Sequence, residues 1–339
     1  MKSFDTQIIK VDPLNPSVDR INRAAALIKA GEVVAFPTET VYGLGADATS
    51  DDAVKKIYAA KERPADNPLI SHFASLDEIR DYVVEIPDIA EQLAEQFWPG
   101  PLTLVLRKNE KISDLVTQGL DTIAVRIPAH SVAITLIKQA GVPIAAPSAN
   151  LSGKPSPTTA DHVMTDLSGR IPAIIDGGST SVGVESTVIN LTDTQPVLLR
   201  PGGTTIEELR EIIPELKVPD AAHIDQPLSP GMKYTHYSPE TQLVLIPHIT
   251  DQSSADIDTI VNQTGGNQLL LCLHSSHNHK VNHILLGNTL KEIQLNLFAS
   301  LRLLDDENYD IGYIEEIQEI KQGHTIMNRI RKAVDLVNE

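Results

Sequence analysis

The sequence predicts an α/β protein in two domains, the first built on a mixed sheet, and three observations carry that expectation. The chain has 339 residues, more than one hydrophobic core usually serves. Short β-rich runs are interspersed with amphipathic helical stretches as far as about residue 214. Then Pro219, Pro227, Pro230, Gly231 and Pro239 fall close together, and a second, smaller set of strands and helices follows. The expected division is residues 1–214 as the first domain, 215–239 as a linker and 240–339 as a second α/β domain.

The elements follow in order. Ser17 is a plausible N-cap for a helix to Ala30, with Ile21, Ala24, Ala25 and Ile28 as its apolar stripe and Gly31 at the stop. EVVAFP is a short buried strand ended by Pro37, and Asp51 is expected to cap the helix DAVKKIYAAK. LISHF, LTLVLR, TIAVRIP, PIAAP, AIID, STVINL and PVLLR read as further strands. IAEQLAEQFW, SVAITLIKQA and, behind a capping box Thr205…Glu208, IEELREII read as helices. In the second domain TQLVLIP, NQLLLCL, an ILLG run and IGYIEEI are strands. Leu290, Ile293, Leu297, Leu301 and Leu304 form one face of a long helix, and another helix ends the chain.

Composition excludes several classes. No run of about 18 apolar residues could span a membrane, and the N-terminal stretch lacks the apolar core of a signal peptide. Cys272 is the single cysteine, so an internal disulfide and a cysteine-built zinc site are excluded. These features predict a cytoplasmic protein. The net charge of −17 opposes gripping a nucleic-acid backbone, so direct nucleic-acid binding is expected to be weak or absent.

Familiar motifs fail. Gly43-Leu-Gly45-Ala-Asp-Ala48 loosely matches a dinucleotide fingerprint, but residues 37–42 separate it from the strand where an immediate turn is needed. No P-loop and no GxSxG elbow occur. His274, His277, His279 and His283 crowd near Cys272, yet no carboxylate or HxxxH spacing supports a metal, and a polar loop is the simpler reading. No metal ligand is assigned to a protein side chain.

The informative residues lie at strand ends. PTETVYGLGADA puts Thr38, Glu39, Thr40 and Tyr42 just past a strand, where α/β proteins bind ligands. KERPADNPL presents Lys61, Arg63 and Asn67, with Lys61 ending a helix where a cation is also favoured by the helix dipole. Ser148 and Asn150 follow the strand PIAA. Arg126 interrupts an apolar strand and demands an anionic partner, either an internal carboxylate or a substrate's. Ser186 and Arg200 mark two further strand ends. Cations, amides and hydroxyls without an obvious nucleophile suit the binding and alignment of a polyphosphate and an amino acid.

Together PTETVYGLGADA, KERPADNPL, WPGPLTLVL, PIAAPSANLSGKPSPT, GVESTV and LLRPG resemble the YrdC-type domain of L-threonylcarbamoyl-AMP synthases. The chain from SPGMKYTHYSP onward resembles the long, two-domain form of that family. The resemblance implies a YrdC-type twisted mixed sheet with flanking helices, plus a smaller Rossmann-like C-terminal domain. It implies synthesis of L-threonylcarbamoyl-AMP and pyrophosphate from L-threonine, bicarbonate and ATP, the first step of threonylcarbamoyladenosine formation in tRNAs reading ANN codons. Lys61 and Arg63 would be catalytic and, with Asn67, Ser148 and Asn150, would hold the ATP phosphates. Thr122, Ser156, Arg200 and Tyr234 would complete the nucleotide site, with Tyr234 as part of a lid. Threonine would meet Thr38 or Thr40, His72, Arg126, the backbone at Ala146, and Ser186. Mg2+ would accompany ATP, and the product could be handed to the tRNA threonylcarbamoyl transferase.

Two rivals stand beside this reading. A carbamoyl-transferring maturation factor with the same fold would carry cysteine-rich zinc modules, which one cysteine rules out. A non-enzymatic RNA-binding translation factor is the alternative from another class, and the acidic charge weakens it.

Overall fold

The computed structural model describes residues 3–219, 237–248, 258–259, 261, 265–272 and 281–334. They form two compact units. Among them, the first comprises 3–152, 156–181 and 185–219, and the second comprises 153–155, 182–184 and the described residues from 237 to 334.

The first unit is a mixed sheet of ten strands. In chain order these are β1 (Gln7–Lys10), β2 (Val34–Phe36), β3 (Gly43–Asp47), β4 (Ile70–His72), β5 (Leu102–Arg107), β6 (Thr122–Arg126), β7 (Ile144–Ala145), β8 (Ala173–Asp176), β9 (Thr187–Asn190) and β10 (Val197–Arg200). Their spatial order is β1-β8-β2-β3-β7-β4-β6-β5-β9-β10. Most strands are three to six residues long and nearly all buried, as expected where both faces are covered. The unit runs past residue 214, because Lys217 bridges Val197 and exchanges backbone hydrogen bonds with Pro196 and Leu198.

The two faces differ. One packs along its length against the helices Asp51–Lys61, Asp88–Phe97, Ala160–Leu167 and Ile206–Arg210. The other is covered by Val18–Lys29 and Ser131–Ala140, which pack on residues of β1, β8, β2 and β7. Over β4, β6, β5, β9 and β10 that second face carries a small cluster of strand residues alone: Ile70, Val105, Ala124, Val188 and Leu199. Strand alternation places His72, Thr122, Arg126, Thr103 and Ser186 on this same half-face.

Local differences from the sequence reading have local causes. Ser50, not Asp51, caps the second helix, its side chain accepting from the Ala53 N–H. The capping box Thr205…Glu208 is formed in both directions. Gly43–Asp47 is a strand of a hairpin with β2 (Phe36↔Gly43), so residues 37–42 are a hairpin loop. Glycine is required at 45, where a Cβ would lie 2.6 Å from Ile144 and 2.7 Å from Phe36.

The second unit has a four-stranded parallel sheet, β11 (Gln242–Ile246), β12 (Gln268–Cys272), β13 (His283–Leu285) and β14 (Ile311–Glu315), in the order β11-β14-β12-β13. The helices Leu290–Asp306 and Gln322–Val334 pack against each other. Tyr237 stacks on Phe298 with centroids 5.2 Å apart, and the Arg329 guanidinium lies 5.1 Å from the tyrosine centroid. Burial pushes the Cys272 thiol up to about 11, so it packs as an inert apolar group. A cavity of 620 Å³ opens near His248, Thr289 and Glu316.

Candidate active site

The loop 37–42 enters the half-face described above. Thr38 is consumed by its own turn: its hydroxyl donates to the Val41 carbonyl (2.7 Å) and accepts from the N–H groups of Thr40 and Val41. Thr40 Oγ1 lies 2.8 Å from Thr38 Oγ1 and accepts from Arg126 Nη1 at 2.9 Å. Arg126 Nε donates to the Gly100 carbonyl. Its second terminal nitrogen lies 2.7 Å from Glu39 Oε1, and both side chains are buried. Of the two partners open to Arg126 on sequence grounds, the fold supplies the internal carboxylate. Glu39 bears no role in the sequence reading, and no linear signal pairs it with a residue 87 positions downstream.

Strand registers arrange the remaining groups. Antiparallel pairing sets His72 opposite Ile144, and parallel pairing sets His72 opposite Arg126. On β6 Thr122 stands two residues before Ala124, the partner of Ile70, and on the other side Ser148 follows Ala146 by two residues, while Leu69 turns its N–H to the Val116 carbonyl. Four residues of strand separate the two levels, roughly 13 Å. One end of this strip thus holds His72 and Arg126, and the other holds Thr122 and Ser148. Ala146 lies between them, its N–H donating to the Ile70 carbonyl at 2.9 Å. Burial, aided by the Arg126 charge, pushes His72 down to about 3, so its imidazole is neutral near pH 7.

Lys61 differs from an exposed helix-end cation. It is 2% exposed, and its Nζ donates to the carbonyls of Ser148 (2.5 Å) and Asn150 (2.6 Å). The helix stops there because Glu62 adopts a left-handed conformation at φ 52°, which turns the chain away while Lys61 points inward. Ser148 Oγ donates to Asn150 Oδ1 at 2.5 Å, and Asn150 Nδ2 donates to the Leu151 carbonyl. Arg63 is half-buried, with Nη2 3.4 Å from the Asn67 carbonyl. Asn67 is fully buried, and neither its amide nitrogen nor its amide oxygen has a partner among the described residues. Buried amides are normally satisfied, which singles this one out.

At the far edge, Arg200 donates to the Ser186 carbonyl at 2.9 Å and reaches its hydroxyl at 3.3 Å. Ser186 Oγ also lies 2.8 Å from Thr103 Oγ1. Glycine is obligatory at 202, since a Cβ there would sit 2.3 Å from the Ser186 backbone. Ser156 is fully buried and donates to Glu185 Oε1 at 2.5 Å. Thr103 and Glu185 are not among the candidates read from the sequence, and Glu39 is there as a strand-end residue without a role. The place of each is visible only through the partner that the fold brings to it.

Tyr234, with the segment read as a lid, and His274, His277 and His279 lie outside the described residues. His283 is exposed, with a ring nitrogen 2.9 Å from the Val281 carbonyl. Among the described residues no three His, Cys, Asp or Glu side chains converge as a metal site, and no helix is long and apolar enough to cross a membrane. The half-face and the loop at its end therefore offer cations, amides and hydroxyls, which suits holding a charged elongated ligand pair, and among the described residues they supply no activated nucleophile.

Comparison with known proteins agrees with this geometry. A family model described as "Telomere recombination" (Sua5_yciO_yrdC) matches residues 26–202, and one described as "Threonylcarbamoyl-AMP synthase, C-terminal domain" matches 204–334. The threonylcarbamoyl-AMP synthase of Pyrococcus abyssi is 48% identical over 93% of this chain and 94% of its own. That of Bacillus subtilis is 46% identical over 95% of each. The crystal structure of P. abyssi Sua5 complexed with L-threonine superposes with a TM-score of 0.92, at 46% identity over 97% of this chain and 98% of that one. Fold, domain content and sequence agree: the chain belongs to the two-domain Sua5 family of threonylcarbamoyl-AMP synthases.

Proposed function

We infer that this chain is a nucleotidyltransferase that makes L-threonylcarbamoyl-AMP, with release of pyrophosphate, for tRNA modification. Membership of the family supports the activity. The observation that carries it to particular residues is the meeting of Thr40, His72, Arg126, Ser186 and Arg200 on one half-face of one sheet, with Lys61 reaching the 148–150 loop at its end from a helix of the other face. L-threonine, bicarbonate and ATP are the proposed substrates. The His72–Arg126 end is proposed to take threonine, together with Thr40, Ser186 and the Ala146 carbonyl; Thr38 acts by shaping the turn that presents Thr40. The Thr122–Ser148 end is proposed to take the ATP phosphates, with Lys61, Arg63, Asn67 and Asn150. Ser156, Arg200 and Tyr234 are proposed for the rest of the nucleotide.

The chemistry needs alignment more than a nucleophile. Threonine's amine and bicarbonate form a carbamate with loss of one water, and a carbamate oxygen attacks the α-phosphorus of ATP as pyrophosphate leaves. Lys61 and Arg63 stabilise charge growing on the leaving phosphates, a role for fixed cations in a dry site. Lys61 is already locked to the loop 148–150, so it need not reorganise during reaction. Mg2+ is proposed to arrive bound to the ATP phosphates and to supply further neutralisation there. A neutral His72 can hydrogen-bond the threonine hydroxyl without adding charge. A cytoplasmic location and delivery of the product to a tRNA-modifying transferase are proposed with this activity.

The test is ATP-to-pyrophosphate conversion. Turnover is expected only when threonine and bicarbonate are both present, and conversion independent of threonine would overturn the reading.

A further inference from the structure

Glu39 is the member of the 38–40 turn that the roles above leave unassigned. Its carboxylate is buried against Arg126 at 2.7 Å. Among the described residues neither oxygen accepts a well-aligned hydrogen bond, and Arg126 Nη2 makes none either. Thr180 Oγ1, also buried and without a partner among the described residues, belongs to the loop whose Ser181 N–H donates to the Glu39 carbonyl. A charge pair removed from water is stable when its remaining protons and lone pairs are hydrogen-bonded. This pair is under-satisfied, at the end of the site that faces the amino acid.

We propose that Glu39 and Arg126 are the two halves of a clamp for a zwitterion. Arg126 takes the α-carboxylate of the substrate, Glu39 takes its α-ammonium, and without substrate each half neutralises the other. An α-amino acid carries both charges a few bonds apart, so its entry replaces one buried ion pair with two and leaves the net charge of the site unchanged. The ammonium brings three donors to the two Glu39 oxygens that lack them. The Thr40 hydroxyl and the Gly100 carbonyl already fix the Arg126 guanidinium, so opening the pair moves Glu39 rather than Arg126. The clamp explains why an acidic residue stands between the two threonines of the turn, where a neutral side chain would leave Arg126 buried and uncompensated.

The clamp rests on the threonine reading, and its test separates the two. The full chain is titrated calorimetrically with L-threonine and with its analogue bearing hydroxyl in place of the α-amine. Wild type is expected to prefer threonine by about tenfold or more, the value of a charge-assisted hydrogen bond. Glu39→Gln, checked for an unchanged ATP affinity, should bind both within about threefold. If wild type binds no threonine, the threonine reading falls and takes the clamp with it. If wild type binds threonine but favours it over the analogue no more than about twofold, the clamp alone is overturned, with no variant needed. A preference that survives Glu39→Gln undiminished overturns it as well.

Discussion

Lys61 Nζ donates to the backbone carbonyls of Ser148 and Asn150, so the cation at the end of one helix holds a loop that starts 87 positions later. The side chain is therefore structural as well as chemical. Lys61→Ala is expected to lose pyrophosphate release and also to lower the unfolding free energy by about 3 kcal/mol, since each charge-assisted bond is worth about 1.5–3. Arg63→Ala should cut the rate ten- to a hundredfold while stability stays within about 0.5 kcal/mol, as for most half-exposed groups. Urea unfolding beside a pyrophosphate assay measures both. A fully stable Lys61→Ala protein would contradict the two hydrogen bonds as a stabilising tether.

Substrate choice follows from the amino-acid end of the strip. A site that hydrogen-bonds a hydroxyl rejects an analogue lacking it by as much as about 10⁴. Pyrophosphate release should thus be poor with valine and intermediate with serine, at equal concentrations. Equal rates with threonine and valine would remove His72 and its neighbours from hydroxyl recognition.

Most of the strands and helices could be read from local pattern, and the exceptions show what pattern lacks. β3 carries no strand pattern, because its glycines read as a loop. They are there because Ile144 and Phe36 leave no room for a Cβ at Gly45, a fact of neighbouring strands. The buried inward course of Lys61 was equally illegible, since it depends on carbonyls far along the chain. Arg126 could be recognised as a cation in need of an anion, but not its choice of Glu39. Residue types at strand ends were local information. Which of them share a level on the sheet came from register.

His72 sets a pH dependence whose sign can be worked out. Burial and the Arg126 charge hold its folded-state pKa at about 3, against 6.5 for the free side chain. Below pH 6.5 the unfolded chain binds a proton that the folded chain refuses, so stability falls as pH drops, until about pH 3. The slope approaches about 1.4 kcal/mol per pH unit. His72→Asn should therefore lose about 1.5 kcal/mol less than wild type between pH 6.5 and 5 in urea titrations. Parallel pH profiles for the two proteins would mean that His72 is protonated in the folded state.

Asn67 offers the cleanest separation of binding from folding. Its amide is fully buried and unpartnered among the described residues, while its carbonyl lies within 3.4 Å of Tyr58 and Arg63. An unsatisfied buried polar group costs about 1–3 kcal/mol, which the folded protein bears until a ligand satisfies it. Asn67→Leu keeps the backbone contacts and nearly the same volume but removes the amide. It should be as stable as wild type or more stable by about 1 kcal/mol, while ATP affinity falls at least about tenfold. Thermal unfolding and ATP titration on the same sample read both quantities. A destabilised variant with unchanged ATP affinity would make the amide a structural group and move the nucleotide away from Asn67.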